Sequence, residues 1–361
     1  MPKPSRMDVP IDRIAIILVN WNGWRDTIEC LDSLLANPLH GMHVFVVDNA
    51  STDGSCKHIL EWLAQPARGE NWSEFDGVGR ISGQLPANPI CFEVLDKAGT
   101  VIQGAESPVV SLVHAGGNLG FAGGNNVGLK LALEQGFDWF WLLNTDTVVR
   151  HDTLPELLLR AQADSRCGIV GSSLIYYRKP DYVQAMGGRL NTKTTSVSHI
   201  GEGLPVTELP SDGTEVEKEM AYVVGASMLV SRHFLETVGL MQDDYFLYFE
   251  EIDWALRGRP EFSLGYAPRS WVFHKVGASS AKVMSEFSLN LLYRNRLRFV
   301  SRFLPERLWA TKRSLAFELF RHVLKGRWAQ ARLLFHVLSD SLAIEKSALK
   351  VKELNNDYRT S

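Results

Sequence analysis

Three apolar runs in this chain end in asparagine or aspartate, and that pattern limits its fold more than any other feature. IAIILVN (Ile14–Asn20) and HVFVVDN (His43–Asn49) are continuous and rich in β-branched residues, as expected of strands buried on both faces. WFWLLNTD (Trp139–Asp146) ends the same way. After the first run, RDTIECLDSLLAN sets Ile28, Leu31, Leu34 and Leu35 on one helical stripe, with Pro38 just beyond. After the second, Ile59, Trp62 and Leu63 form the apolar face of another helix. Strand alternating with helix predicts an α/β fold with a mostly parallel sheet and right-handed crossovers.

Further strands are predicted at GIVGSSLIYY, AYVVGASMLV and GYAPRSWVFH, and no internal repeat interrupts the order. Residues from about 65 to 107, rich in Gly, Pro and Asn, are predicted to be an inserted excursion holding a short strand-like piece, ICFEVLD. The expected organisation is therefore a tail at 1–12, a catalytic domain at 13–280 and a helical region at 281–361. Charge divides along the last boundary. Residues 281–361 carry 16 Lys and Arg against 7 Asp and Glu, although the whole chain has a net charge of −3. A basic tail on an acidic body points toward an anionic surface. Its apolar residues are interleaved at helical spacing, so the expected partner is an anionic membrane surface, with packing on the chain's own sheet or on a second subunit as the alternative reading. Four scattered cysteines without a C-x-x-C pair speak against a zinc ribbon or a disulfide framework and fit a reduced, cytoplasmic setting. No apolar run reaches the length of a membrane span, and the opening residues lack a signal-peptide core.

In an open parallel sheet, ligands bind beyond the carboxyl ends of the strands. That rule gathers Asn20, Asp48, Asn49, Asn144 and Asp146 on one rim. Asp and Asn after a strand are also ordinary turn formers, but three such clusters on one edge suggest a site. GGNLGFAGGNN (Gly116–Asn126) lacks the G-x-G-x-x-G spacing of a dinucleotide loop and does not follow the first strand. It can still bring backbone close to a diphosphate at the start of a helix. Asp146 is placed to hold a divalent cation already bound to phosphate, Mg²⁺ or Mn²⁺, which take one or two protein carboxylates. His274, ending another predicted strand, could add an imidazole. Glu250, Glu251 and Asp253 then crowd into four positions behind the aromatic run Tyr245–Phe249. Acids at a helix start suit the dipole, and a carboxylate beside aromatic surface also suits a general base.

These segments, VNWNG, VVDNASTDGS, GGNLGFAGGNN, LLNTDT, VVGASMLVSR, YFLYFEEIDWALR and VFHKVGASS, occur in the order found in family 2 glycosyltransferases of the GT-A fold. The chain most resembles their rhamnosyltransferase-like branch. The resemblance implies a Rossmann-like, mostly parallel sheet flanked by helices, with a C-terminal basic helical extension. It implies inverting transfer of a sugar from a nucleotide-diphosphate donor, with dTDP-L-rhamnose first and UDP-galactofuranose or another UDP-sugar as the alternative. The acceptor would be a hydroxyl of a glycan or lipid-linked acceptor in cell-surface polysaccharide or O-antigen synthesis, on the inner face of the cell membrane.

Carried onto this chain, the resemblance makes Asp48 a base or ribose contact and lines the nucleotide site with Asn20, Asn49, Asn118, Gly120, Asn125 and Asn144. Asn144 stands where the wider family's metal motif begins with Asp. Asp146 and His274 would hold the cation. Gly225 and Ala226 would give the donor sugar room. Glu251 would be the base and Asp253 its supporting acid, with Glu250, Trp254 and Arg257 near the sugars. Nucleic acid is not an expected partner; a homo-oligomer is. A nicotinamide-dependent oxidoreductase would explain the sheet and the glycines but not the acidic cluster. A non-catalytic nucleotide- or glycan-binding protein would keep the fold and lose the base.

Overall fold

The pleat of a strand sends alternate side chains to opposite faces, and β1 (Ile14–Asn20) uses both. In the computed structural model of this chain, Ile14, Ile16 and Leu18 pack into one hydrophobic layer. Ala15 and Ile17 pack into the other. The first layer is covered by α1 (Trp24–Leu35), α2 (Ser55–Ala64) and α4 (Thr153–Gln162). The second is covered by α3 (Gly120–Glu134), α6 (Arg232–Val238) and α7 (Glu250–Gly258). A strand covered on both faces has no polar face to show, which is why the sequence reads as unbroken apolar runs. The structure describes residues 13–36, 41–65, 90–104, 107–275 and 285–340. The expected 1–12 tail, much of the 65–107 segment and the 280/281 boundary lie outside them.

β2 (Met42–Asp48) and β6 (Trp139–Leu143) flank β1 in parallel, and β5 (Val110–His114) follows β2. β3 (Phe92–Asp96), the ICFEVLD piece, does not leave the sheet. It adds a further parallel strand to β5 and turns back antiparallel into β4 (Val101–Gln103) at the edge.

Beyond β6 the sheet mixes directions. β12 (Ser227–Ser231) runs antiparallel between β6 and β8 (Cys167–Tyr176). It is shorter than the predicted AYVVGASMLV strand, because residues 221–226 form its approach rather than its body. β13 (Ser263–His274) lies parallel to β8, and β7 (Thr147–Val149) pairs antiparallel with its end. β9 (Lys179–Ala185) pairs with β8, and β10 (Gly188–Asn191) with β11 (Ser196–His199) forms a separate two-stranded ribbon. The fold is thus the expected α/β one, with a large, mostly parallel sheet flanked by helices.

The described residues fall into two compact units. One is built from those of 1–189, 198–246 and 250–277, the other from those of 190–197, 247–249 and 278–361. The second holds α8 (Glu286–Phe303), α9 (Leu308–Leu324) and a further helix, α10, described over 328–340. Its own core is Leu297, Leu315, Leu333, Leu334 and Val337. No described helix is long and apolar enough to cross a membrane.

Candidate functional site

The parallel register of β1 and β2 sets Asn20 opposite Asp48 at the carboxyl end of the sheet. The Asn20 amide donates to Asp48 Oδ1 at 2.7 Å and to the Ser51 hydroxyl at 3.0 Å, while Thr27 donates to Asn20 Oδ1 at 2.8 Å. Asn20 is fully enclosed, so it braces Asp48 rather than offering itself to a ligand. Asp48 Oδ2 accepts the Ser51 backbone N–H at 3.0 Å. Beside it stand Cys56, in the first turn of α2, and His114, at the end of β5. Donor atoms of Asp48, Cys56 and His114 all lie within 4.8 Å of one another, a set that sequence reading missed. His114 carried the same strand-end signal as Asn20. Burial, and then the Asp48 charge, push the Cys56 thiol up to about 12, so it sits there neutral.

The glycine-rich segment has two roles. A side-chain carbon on Gly124 would meet Val19 at 2.7 Å, and one on Gly128 would meet Ile17 at 2.7 Å. These glycines let α3 lie directly on the sheet. At the start of the helix, Gly120 has φ +71° and donates its N–H to Asn118 Oδ1 at 3.1 Å. The Asn49 amide donates to the Gly120 carbonyl at 2.8 Å, and Asn49 Oδ1 is buried without a partner. Asn118 is exposed at this end. Asn125 is not: it is buried and donates to the Phe121 carbonyl one turn back at 2.9 Å. Its expected nucleotide contact is withdrawn on that ground.

Asn144 and Asp146 sit between β6 and β7. The Asn144 N–H donates to the Ala226 carbonyl at 3.0 Å, which fastens the rim to the approach of β12. A side-chain carbon on Gly225 would come to 3.4 Å from the Phe121 ring, so its lack of a side chain keeps that space open. Pairing of β7 with β13 sets Thr147 against His274, and the Lys275 N–H donates to the Asp146 carbonyl at 2.9 Å. His274 Nε2 and Asp146 Oδ1 consequently stand 3.2 Å apart. The other ring nitrogen, Nδ1, meets Gln184 Oε1 at 2.9 Å, and both side chains are buried. An amide oxygen can only accept, so the Gln184 contact calls for the hydrogen on Nδ1, which turns the Nε2 lone pair toward the Asp146 side. On a divalent cation with bonds of about 2.1 Å, two ligands at right angles lie about 3 Å apart. The observed pair fits that spacing and supplies the oxygen and imidazole such ions accept. Lys275 is itself held by Asp26 at 2.5 Å and by Glu29, which also accepts from the Tyr177 hydroxyl at 2.7 Å. Neither Gln184 nor this clamp left a signal in the sequence.

The acidic cluster opens α7. The chain enters it through Phe246, Tyr248 and Phe249, all with φ between +62° and +74°, a region costly for residues with large side chains. Glu250 is 3% exposed and Asp253 1%; Glu251 is half-buried. One oxygen each of Glu250 and Glu251 is enclosed without a hydrogen-bond partner. Burial pushes the Glu251 carboxyl up to about 7. Burial and the neighbouring Glu251 charge raise Glu250 well above its ordinary range. Tyr222 is raised by burial and then by the charge of Glu251, which places it near that carboxylate.

Asp253 differs from both. It accepts from the Tyr245 hydroxyl at 3.0 Å and from Arg257 Nε at 2.8 Å, while Arg257 also donates to the Val238 and Leu240 carbonyls. Both of its oxygens and the guanidinium are occupied, so the pair braces the 238–245 segment. The expected place of Trp254 beside the sugars is corrected. The ring is fully buried, donates to the Gly239 carbonyl at 2.9 Å and meets Phe234 edge-on. A side chain in the core presents no face to a sugar.

A doubly covered sheet, a polar rim at the carboxyl end of its parallel strands and a partly desolvated carboxylate on a following helix together make up the candidate site. No family model matches the chain. Its curated relatives are glycosyltransferases. The chain is 23% identical over 189 residues to the low-salt glycan biosynthesis hexosyltransferase Agl10 of Haloferax volcanii, covering 52% of this chain and 59% of that protein. It is 22% identical over 185 residues to the dTDP-rhamnosyl transferase RfbF of Shigella flexneri, covering 50% and 56%. Among solved structures it is similar to the mannosyltransferase PcManGT of Pyrobaculum calidifontis in complex with GDP-Man and Mn²⁺. That likeness has 16% identity and a TM-score of 0.47 over 95% of this chain and 79% of that one, too loose to transfer any residue's role. The chain is a homologue of glycosyltransferases and spans a little over half the length of these two relatives.

Proposed function

We propose that the chain is an inverting, divalent-cation-dependent glycosyltransferase that moves a sugar, L-rhamnose from dTDP-L-rhamnose in first place, onto a hydroxyl of a glycan or lipid-linked acceptor. The observation that carries this reading is Glu251, a half-buried carboxylate with one enclosed, unpartnered oxygen and a pKa pushed up to about 7. A base titrating near neutrality can take the acceptor hydroxyl's proton and hold it. The acceptor oxygen then bonds to the anomeric carbon from the face opposite the departing nucleoside diphosphate. The bond from that carbon to the diphosphate oxygen breaks as the new bond forms, inverting the centre. A cation held by Asp146 and His274 would neutralise the diphosphate. Asp48 would read the base or ribose, with Asn20 holding it in place. Asn118, exposed at the start of α3 and held by the Gly120 N–H, would face the phosphates.

The dTDP-rhamnosyl transferase relative supports the donor. A UDP-sugar such as UDP-galactofuranose is the second reading, since a strand-end aspartate serves any pyrimidine base. A purely binding protein has no use for an enclosed, proton-poised Glu251. The expected setting is the cytoplasmic face of the cell membrane, in polysaccharide synthesis, with the basic C-terminal helices toward the lipid. The test is a radiolabelled panel of dTDP-, UDP- and GDP-sugars, each assayed for transfer or slow hydrolysis with Mn²⁺, with Mg²⁺ and with chelator. Cation-dependent turnover of dTDP-L-rhamnose is expected. Turnover that ignores chelator, or that prefers another donor, overturns the corresponding part.

A further inference from the structure

Helix α9 carries two apolar stripes. Leu308, Leu315 and Leu319 face the core of the C-terminal unit, together with Leu297, Leu333, Leu334 and Val337. That packing leaves a second set outside: Trp309 is 64% exposed, Phe317 64%, Phe320 54% and Leu324 69%. At about 100° per residue these four fall within about 80° of arc, roughly opposite Leu315. A helix that needed only its own core would carry polar residues there. In α10, Trp328 and Phe335, two turns apart, are 65% and 60% exposed. Taking about 150–250 Å² for each aromatic side chain, the five aromatics and Leu324 together leave on the order of 600 Å² of apolar surface in water.

The surrounding charge selects the occupant. Arg313 lies within the stripe and Arg321 and Lys325 along one edge; Arg327 and Arg332 follow, all exposed. Glu318, the one acid between 308 and 335, has a side chain 39% exposed and is already engaged, accepting from the Tyr293 hydroxyl at 2.6 Å and standing 3.8 Å from His322 Nε2. A symmetric contact with a second copy would set these cations against their equivalents. An anionic bilayer meets both demands, with aromatic side chains at the headgroup boundary and arginines on the phosphates.

We propose that Trp309, Phe317, Phe320 and Leu324 form a membrane-inserting stripe, by which the C-terminal unit seats on anionic phospholipid. The inference deepens the membrane part of the reading above and stands apart from the sugar chemistry. The full chain is tested by flotation with vesicles of phosphatidylcholine alone and of phosphatidylcholine mixed with phosphatidylglycerol. The expected result is binding to the mixed vesicles only. Phe317→Gln, Phe320→Gln and Leu324→Gln together, all at exposed positions, should lower the bound fraction at least tenfold without shifting the melting temperature. Arg313→Gln, Arg321→Gln and Lys325→Gln should weaken binding and remove its preference for anionic lipid. Unaltered binding by the apolar triple variant overturns the proposal. So does a wild-type dimer in sedimentation that this variant dissociates, since the stripe is then a subunit contact. Nucleotide-induced thermal shifts, measured on the same samples, report the donor site separately.

Discussion

Gly120 and Phe246 meet backbone to backbone. The Phe246 carbonyl accepts the Phe121 N–H at 2.7 Å and occupies the space that a side-chain carbon on Gly120 would need. This contact ties the glycine-rich start of α3 to the left-handed segment that leads into the acidic helix. The two ends of the proposed donor and base machinery are thereby held in one piece. Gly120→Ala should therefore disturb both. A β-carbon at φ +71° against a backbone oxygen has no soft neighbour to displace, and the strain alone is about 1–3 kcal/mol. The expected outcome is a lowered melting temperature and weakened nucleotide binding. A variant that melts and binds like wild type would show that the carbonyl can move aside.

Asp253 and Glu251 should separate cleanly on mutation. Asp253→Asn breaks a buried pair with Arg257 and should destabilise the fold by about 3 kcal/mol, read by urea unfolding, with a smaller effect on turnover. Glu251→Gln should lose at least about a hundredfold in turnover while donor and cation binding persist. If Asp253→Asn abolishes transfer with the fold intact and Glu251→Gln stays active, the base has been assigned to the wrong carboxylate.

The pH dependence follows from the raised Glu251 pKa. A base must be ionised to act, so turnover should rise with pH through about 7. Stability moves the other way. Between the ordinary carboxyl value of 4.5 and about 7, the native state keeps a proton that the unfolded chain has released. The fold should then lose stability as pH climbs through that window, with Glu250, also raised by burial and by the Glu251 charge, adding to the same trend. Melting curves of wild type and Glu251→Gln across this range test the point, and the slope should flatten in the variant. Equal slopes would locate the titration elsewhere.

Gln184 is expected to act on the cation through His274. Gln184→Leu leaves Nδ1 without its acceptor and frees the imidazole to change tautomer. Mn²⁺ affinity of the nucleotide complex should drop about 10- to 100-fold, whereas Gln184→Glu, which still accepts, should retain it. Asp146→Ala should remove cation-dependent nucleotide binding with the fold intact. Transfer by the wild type in excess chelator would rule out both assignments.

What the sequence determined by itself is the layered α/β architecture and the rim. Continuous apolar strands need cover on two faces, and the polar residue that ends each of them marks an edge where a ligand can enter. The acids of EEIDWALR were equally plain, because three carboxylates within four positions stand out in any sequence. The tertiary structure decided which of these residues face a ligand. Asn20, Asn125 and Trp254 looked like site residues and proved to be a brace, an intrahelical donor and a core ring. Each has the same residue type whether it points at solvent or at a backbone carbonyl, so periodicity could not separate the cases. The sheet order decided the rest. Antiparallel β12 lies between β6 and β8, and β7 pairs with the end of β13, so Asp146 meets His274 and Gln184 meets the imidazole. Those pairings depend on which distant strands share hydrogen bonds, a choice made by packing over the whole sheet and absent from any local pattern of residues.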